Sequence, residues 1–155
     1  MIFAREWYAM KNLAVAAVVS AAAVFTTPTF AWAAYDAAAI NTIVASAYAQ
    51  CGVNPTTCAA QIEAALNTYL ANNPGADPAG VNVLVGQLAN VAIKVAAAHP
   101  EVRASLATAV STIANSSSDP VQKQALQSTT TLISSGSQEQ LTSVAATVKV
   151  ASPNG

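Results

Sequence analysis

The stretch DPAGVNVLVGQLANVAIKVAAAHP, Asp77 to Pro100, decides the fold because it holds the most regular apolar pattern in the chain. Apolar side chains recur there three and four residues apart, the spacing of one helix face: Val81, Leu84, Leu88, Val91 and Val95. Asp77 can cap the helix N-terminus and Pro78 can occupy its first turn. A helix with one apolar stripe must bury it, so we expect this helix to lie at the centre of the core. Gln87, one position off the stripe, is expected to tolerate a charge that Leu88 cannot.

Similar start signals recur on both sides of that helix. We expect helices to start near six residues: Asp36, Asn54, Asp77, His99, Asp119 and Ser137. Gly136 fits the end of one helix, and Ser137 with Gln140 forms a capping box for the last. The pattern predicts an all-α fold, a compact bundle of five to six short antiparallel helices.

The proline start signals also leave a helical repeat open as an alternative. Successive prolines in them are 23, 22 and 20 residues apart: Pro55, Pro78, Pro100 and Pro120. Helices of a compact bundle must match in length, however, and no residue-level repeat accompanies the prolines. The spacing therefore favours a bundle over a solenoid.

The N-terminus has the order of features that a secretory signal peptide shows. A basic residue at Lys11 precedes a 13-residue apolar run, Leu13 to Phe25, and the small-x-small triplet Ala31 to Ala33. That run is short of the ~20 residues that span a bilayer, so we expect residues 1–33 to be a signal peptide that is cleaved after Ala33. Met10 is an alternative start of the protein, because residues 1–9 fit the basic region of a signal peptide poorly. An uncleaved segment that tethers the chain to a membrane is the alternative.

Cleavage would leave one helical domain, residues 34–150, and a loose tail, residues 151–155. This mature chain has six acidic and four basic residues, a net charge of −2. No basic patch exists to neutralise phosphates, so nucleic acid is not an expected partner. Its aromatic side chains are only three tyrosines, too few for a sugar-binding or base-stacking platform: Tyr35, Tyr48 and Tyr69.

Two cysteines stand alone in the segment CGVNPTTC, Cys51 to Cys58. In the oxidising compartment that a signal peptide implies, they are predicted to form a disulfide between the end of one helix and the first turn of the next. A redox pair would show the C-x-x-C spacing, and a zinc site would need about four ligands. The chain-entropy model gives so short a loop about 2 to 3 kcal/mol of stabilisation.

Residues with catalytic or metal-binding potential are few. No motif for phosphate binding, metal binding or nucleophilic attack is present, and we predict no catalytic residue, metal site or cofactor. His99 is the one histidine, and its place before Pro100 favours a helix boundary over proton transfer. Asp77 and Asp119 each precede a proline, so both are predicted to be N-caps and not general acids.

These observations predict a small, non-catalytic helical protein, secreted or periplasmic, that binds an unidentified protein partner or associates with itself. A carrier of a small apolar ligand between its helices is the first alternative. A signal-anchored, membrane-tethered helical protein is the second, and it requires an uncleaved N-terminal segment. An enzyme ranks below these, because paired titrating groups are absent.

Overall fold

The computed structural model of the chain describes residues 35–148, so the predicted signal peptide and the predicted tail at 151–155 lie outside the described residues. The described residues form six α-helices, named α1 to α6 in chain order: Ala37–Val53, Cys58–Asn72, Pro78–Ala98, Arg103–Ala114, Pro120–Ser135 and Gln138–Thr147. One-turn 3₁₀-helices, Pro55–Thr57 and Pro100–Val102, precede α2 and α4. No strand occurs within residues 35–148, and the all-α prediction is confirmed.

Side chains cap the N-termini of four α-helices. Three aspartate carboxylates accept backbone N–H hydrogen bonds at 2.8 to 3.0 Å: Asp36 from Ala39, Asp77 from Ala79 and Asp119 from Val121. The Ser137 hydroxyl accepts from the Gln140 N–H at 3.2 Å, while the Gln140 side chain accepts from the Ser137 N–H at 2.9 Å. Each cap satisfies donors that the first helical turn leaves without a partner, which is why these short sequence signals locate the helix starts.

The starts predicted at Asn54 and His99 are right in position but differ in the turn that follows. Each residue precedes a proline that opens a single 3₁₀ turn, and the α-helix begins after that turn, at Cys58 or Arg103. Proline has no N–H to donate, so it fits the first turn of either helix type.

Helix α3 lies at the centre of the bundle and contacts every other α-helix. Its contacts with α1, α5 and α6 join helices that are not consecutive in sequence, whereas a solenoid repeat touches only its neighbours. Leu84, Leu88 and Val91 are fully buried, as the stripe predicts. The antiparallel arrangement of consecutive helices stays a prediction.

The single-stripe interpretation of α3 is nevertheless too narrow. Buried residues outside the stripe run round the helix: Gly80, Val85, Gly86, Ala89, Asn90, Ala92, Ile93 and Ala96. Gln87 is half-buried as well, and its Oε1 atom is buried without a hydrogen-bond partner within residues 35–148. An aspartate at position 87 would therefore enter a partly enclosed site, and we expect it to lower stability and not to be silent. The small Ala and Gly side chains let five helices surround α3, so little of it faces solvent.

One helix within residues 35–148, α3 itself, is long and apolar enough to cross a membrane by length and composition. Two-thirds of its most apolar window, 67 %, is buried inside the bundle. The central helix of a helical core needs the same composition, because it has apolar neighbours on nearly all sides.

Gly80 in the first turn of α3 lies against Tyr35, just before α1, and against Tyr69 of α2. A Cβ atom at this position would lie 2.8 Å from the Tyr35 Cβ and 3.0 Å from the Tyr69 hydroxyl oxygen. Only glycine leaves room for the start of α1 and the end of α2 to meet α3 at this point.

Replacing Leu88 with Asp should prevent folding. The side chain is fully buried, and an unpaired carboxylate there costs several kcal/mol against a total stability of about 5 to 15 kcal/mol. Circular dichroism should show a loss of helix and of cooperative melting. Gln124→Asp, on the exposed face of α5, is the matched control and should melt like the wild type. Equal melting of the two variants would contradict the central place of α3.

Candidate functional site

The titratable side chains between residues 35 and 148 form no cluster that could hold a metal ion. The side chains of His99 and Glu101 are in contact, with the histidine Nδ1 3.2 Å from a glutamate oxygen, and both side chains are solvent-accessible. The His99 backbone N–H donates to the Val95 carbonyl at 2.8 Å and ends α3. His99 thus lies at a helix boundary, and the carboxylates of Asp77 and Asp119 are N-caps, as predicted.

Arg103 serves as a structural cation at the start of α4. Its guanidinium donates to the Ala96 carbonyl at 3.3 Å and to the Gly136 carbonyl at 3.2 Å, and also to the Gln138 side chain. The Gln138 amide in turn donates to the Ala97 carbonyl. A cation near the last carbonyls of a helix is favourable, so Arg103 joins the end of α3 to the turn between α5 and α6.

A polar clamp ties α3 to the turn that precedes α5. The Asn82 side-chain oxygen accepts from the Ser117 hydroxyl and from the Ser118 N–H, both at 3.0 Å. The Gln122 amide donates to the Asn82 backbone carbonyl at 2.7 Å, and its oxygen lies 2.6 Å from the Ser117 hydroxyl oxygen. Ser117 and Gln122 are buried, so these hydrogen bonds satisfy groups that would otherwise be costly to enclose. This clamp is structural and was not predicted from the sequence.

Hydroxyl groups on the helix surfaces donate mainly to their own backbone. In α5, five hydroxyls that are exposed or half-buried, and that of the buried Thr129, donate to carbonyls three or four residues earlier: Ser128, Thr129, Thr130, Thr131, Ser134 and Ser135. Thr108 and Thr112 do the same in α4. The single proton of each of these hydroxyls is already donated to a backbone carbonyl. The surfaces of α4 and α5 therefore offer acceptors and methyl groups but few hydroxyl donors.

The two cysteines connect the last turn of α1 to the first turn of α2. Their sulfur atoms are 1.99 Å apart, at disulfide distance, and their Cα atoms are 4.6 Å apart. Both residues are fully buried. The short segment between them is held by two backbone hydrogen bonds, from Asn54 to Gln50 at 2.9 Å and from Thr57 to Asn54 at 3.2 Å. The predicted pairing has the expected geometry, and it fixes the turn between the two helices.

This turn carries a shallow surface groove of about 500 Å³ that is wide open to solvent. Six residues line it, and we call them the disulfide corner: Ala49, Gln50, Val53, Asn54, Thr57 and Gln61. None of the six side chains is ionisable. Five of the six lie between the cysteines or within two residues of them, so the disulfide and the groove occupy the same few residues. The sequence predicted the bond but not the groove beside it.

Val53 protrudes from the disulfide corner. Its side chain is 88 % exposed, compared with 62 % for Val121 and 42 % for Tyr48, the other large apolar residues exposed within residues 35–148. Single exposed apolar residues are common on proteins, but one that borders a groove on a rigid turn can contact a partner. The disulfide corner is therefore the candidate functional site.

Comparisons with protein-family models, with curated proteins and with solved structures found no match to this chain.

Replacing Asn82 with Ala should lower the free energy of unfolding by about 0.5 to 1.5 kcal/mol, because the Ser118 N–H and the Ser117 hydroxyl would lose the side-chain oxygen that accepts from them, while the Gln122 amide keeps the backbone carbonyl of residue 82. Thermal or urea unfolding measures the change. Asn67→Ala, at an exposed position inside α2, is the control and should be neutral or slightly stabilising because alanine favours helix. A loss of the same size in both variants would show that the clamp contributes nothing.

Replacing both cysteines with alanine should cost about 2 to 3 kcal/mol and leave the bundle folded. In hydrogen exchange, amides of residues 52–57 should exchange faster, while the amides of α3 keep their rank as the slowest. Thiol labelling of the denatured, non-reduced wild type should find no free thiol. Two labelled thiols per chain in protein from its native compartment would refute the disulfide.

Proposed function

We propose that this is an exported, non-catalytic helical protein that acts by binding a protein at the disulfide corner. The observation that carries the proposal is the exposed Val53 beside an uncharged groove on a disulfide-tied turn. A turn held by a covalent bond loses little conformational freedom on binding, which favours association.

Export is the part of the proposal that rests on the N-terminal sequence and on the cysteines. The basic residue, apolar run and small-x-small triplet of residues 11–33 support a cleaved signal peptide. The disulfide geometry of Cys51 and Cys58 is compatible with an oxidising, extracellular compartment. A secreted or periplasmic protein would satisfy both features, and an uncleaved segment would instead tether the same bundle to a membrane.

The alternative of an apolar-ligand carrier requires a binding space between helices. The groove at the disulfide corner opens on the surface and has three amide side chains in its lining, so it suits a polypeptide better than a lipid-like molecule. A lipid-like species extracted from the purified protein and identified by mass spectrometry would favour the carrier.

Site-specific cross-linking tests the proposed site even though the partner is unidentified. A photo-reactive amino acid placed at position 53 in the exporting host should give a covalent adduct with a protein. The same amino acid at position 121 is the matched control, because Val121 is the other strongly exposed valine within residues 35–148, and it should give none. Absence of any adduct at position 53, or equal adducts at both positions, would overturn the proposal.

A further inference from the structure

We infer that the disulfide between Cys51 and Cys58 forms before the bundle packs, and that it then reacts with external thiols only when the bundle unfolds. The inference concerns the maturation of the chain and goes beyond the proposed binding, because it holds whichever protein binds at the disulfide corner. It places one class of reaction, the oxidation of a dithiol by a disulfide, ahead of folding.

Burial of the two cysteines is the observation that carries the inference. Both residues are 0 % exposed, although five of the six residues between them are exposed: Gly52, Val53, Asn54, Thr56 and Thr57. The cysteines therefore lie on the core side of an exposed turn, within the hydrophobic core cluster. Thiol–disulfide exchange requires a thiolate to reach a sulfur atom. No external thiolate has that access in the folded bundle.

Movement of the exposed turn alone does not uncover the sulfur atoms. Cys51 lies one helical turn after the buried Ala47 in α1, and Cys58 lies one turn before the buried Ile62 in α2. Both helices also pack against α3, and α2 packs against α4. The buried residues form one continuous cluster, and a small domain with a single core usually unfolds in one cooperative step. We therefore expect the sulfur atoms to become accessible when the whole bundle opens.

Formation of the bond is a two-electron oxidation, and it needs an oxidant that itself contains a disulfide. The thiolate of one cysteine attacks a sulfur atom of the oxidant, forms a mixed disulfide and releases one thiol of the oxidant. The second cysteine attacks the mixed disulfide, closes the bond between Cys51 and Cys58 and releases the other thiol. The chain loses two electrons and two protons, and the oxidant gains both. Each attack needs room for the oxidant beside a cysteine, which the folded bundle does not provide.

A chain that packs before it is oxidised would bury two free thiols. The bond closes a short loop, so a chain without it is expected to fold, as stated above for the alanine variant. The thiols of that folded, reduced chain would be as inaccessible to an oxidant as the disulfide is to a reductant. Bond formation followed by packing is therefore the fast route to the mature protein.

Reduction of the purified mature protein tests the inaccessibility of the bond. Dithiothreitol is added to native protein and to protein unfolded in urea, and free thiols are alkylated and counted by mass spectrometry at successive times. The native protein should be reduced at least about a hundredfold more slowly, because the reactive state is populated only by opening. Equal rates in the two samples would overturn the inference.

A variant outside α1 and α2 distinguishes unfolding of the bundle from local opening of the turn. Asn82→Ala removes the side-chain acceptor of Ser117 and Ser118 and leaves the segment between the cysteines unchanged. Dithiothreitol should reduce it faster by the factor by which its unfolding equilibrium constant rises, about two- to twelvefold. Asn67→Ala is the control and should be reduced no faster than the wild type.

Reduction of the wild type in urea below the unfolding midpoint makes the same distinction without a variant. The logarithm of the rate should rise with urea with the slope of the unfolding equilibrium, because the same surface is exposed in both processes. A rate that does not depend on urea would show that the turn opens by itself, and the inferred link to unfolding would be wrong.

Oxidation of the reduced chain tests the order of the two events. Reduced protein is prepared in urea without reductant, and glutathione disulfide is added either before or after the urea is diluted. Bond formation should be at least about a hundredfold faster in the first sample. If circular dichroism shows that the reduced chain stays unfolded after dilution, packing requires the bond and the order is supported directly. A folded reduced chain that is oxidised as fast as the unfolded one would overturn the order, and the proposed binding would be unaffected.

Discussion

The burial of α3 is the constraint on which the rest of the structure depends. This helix has a buried residue at most of its positions, and it contacts all five other α-helices. A segment as apolar as α3 must be buried. The free energy gained by burying its apolar surface outweighs the conformational entropy lost when the shorter helices become ordered around it. The other helices carry narrower buried faces, such as Ile40, Val44 and Ala47 in α1, which fits their place outside α3.

The helix starts could be predicted from sequence because their causes are local. The side chains of Asp36, Asp119 and Ser137 each accept from a backbone N–H no more than three residues away. Donor and acceptor therefore lie in the same short sequence segment, where the capping pattern can be recognised. The full burial of α3 could not be predicted in the same way. Whether Gln87 or Ala92 faces solvent depends on how many helices surround α3. The apolar periodicity of the α3 sequence does not show how many helices pack against it.

Long-range polar contacts were missed for a related reason. Asn82 and Ser117 are 35 residues apart, and nothing in either segment marks the other as its partner. The acceptors of Arg103 include backbone carbonyls at Ala96 and Gly136, and a carbonyl has no signature in the sequence. The disulfide was predictable because only two cysteines exist, but the groove beside it depends on how the two helices meet.

The chemistry of the surface supports the proposal that binding occurs at the turn between α1 and α2. Hydroxyls on α4 and α5 donate to their own helix, as those of Thr108 and Thr131 do, so these faces have fewer donors than their composition suggests. Charges are sparse, and the aspartates at helix starts are engaged as caps. Directional groups that remain available are then mainly amides, and three of them converge at the disulfide corner next to an exposed valine. For the binding that we propose, specificity would come from shape and amide pairing, and the disulfide would favour both by holding the turn in one conformation.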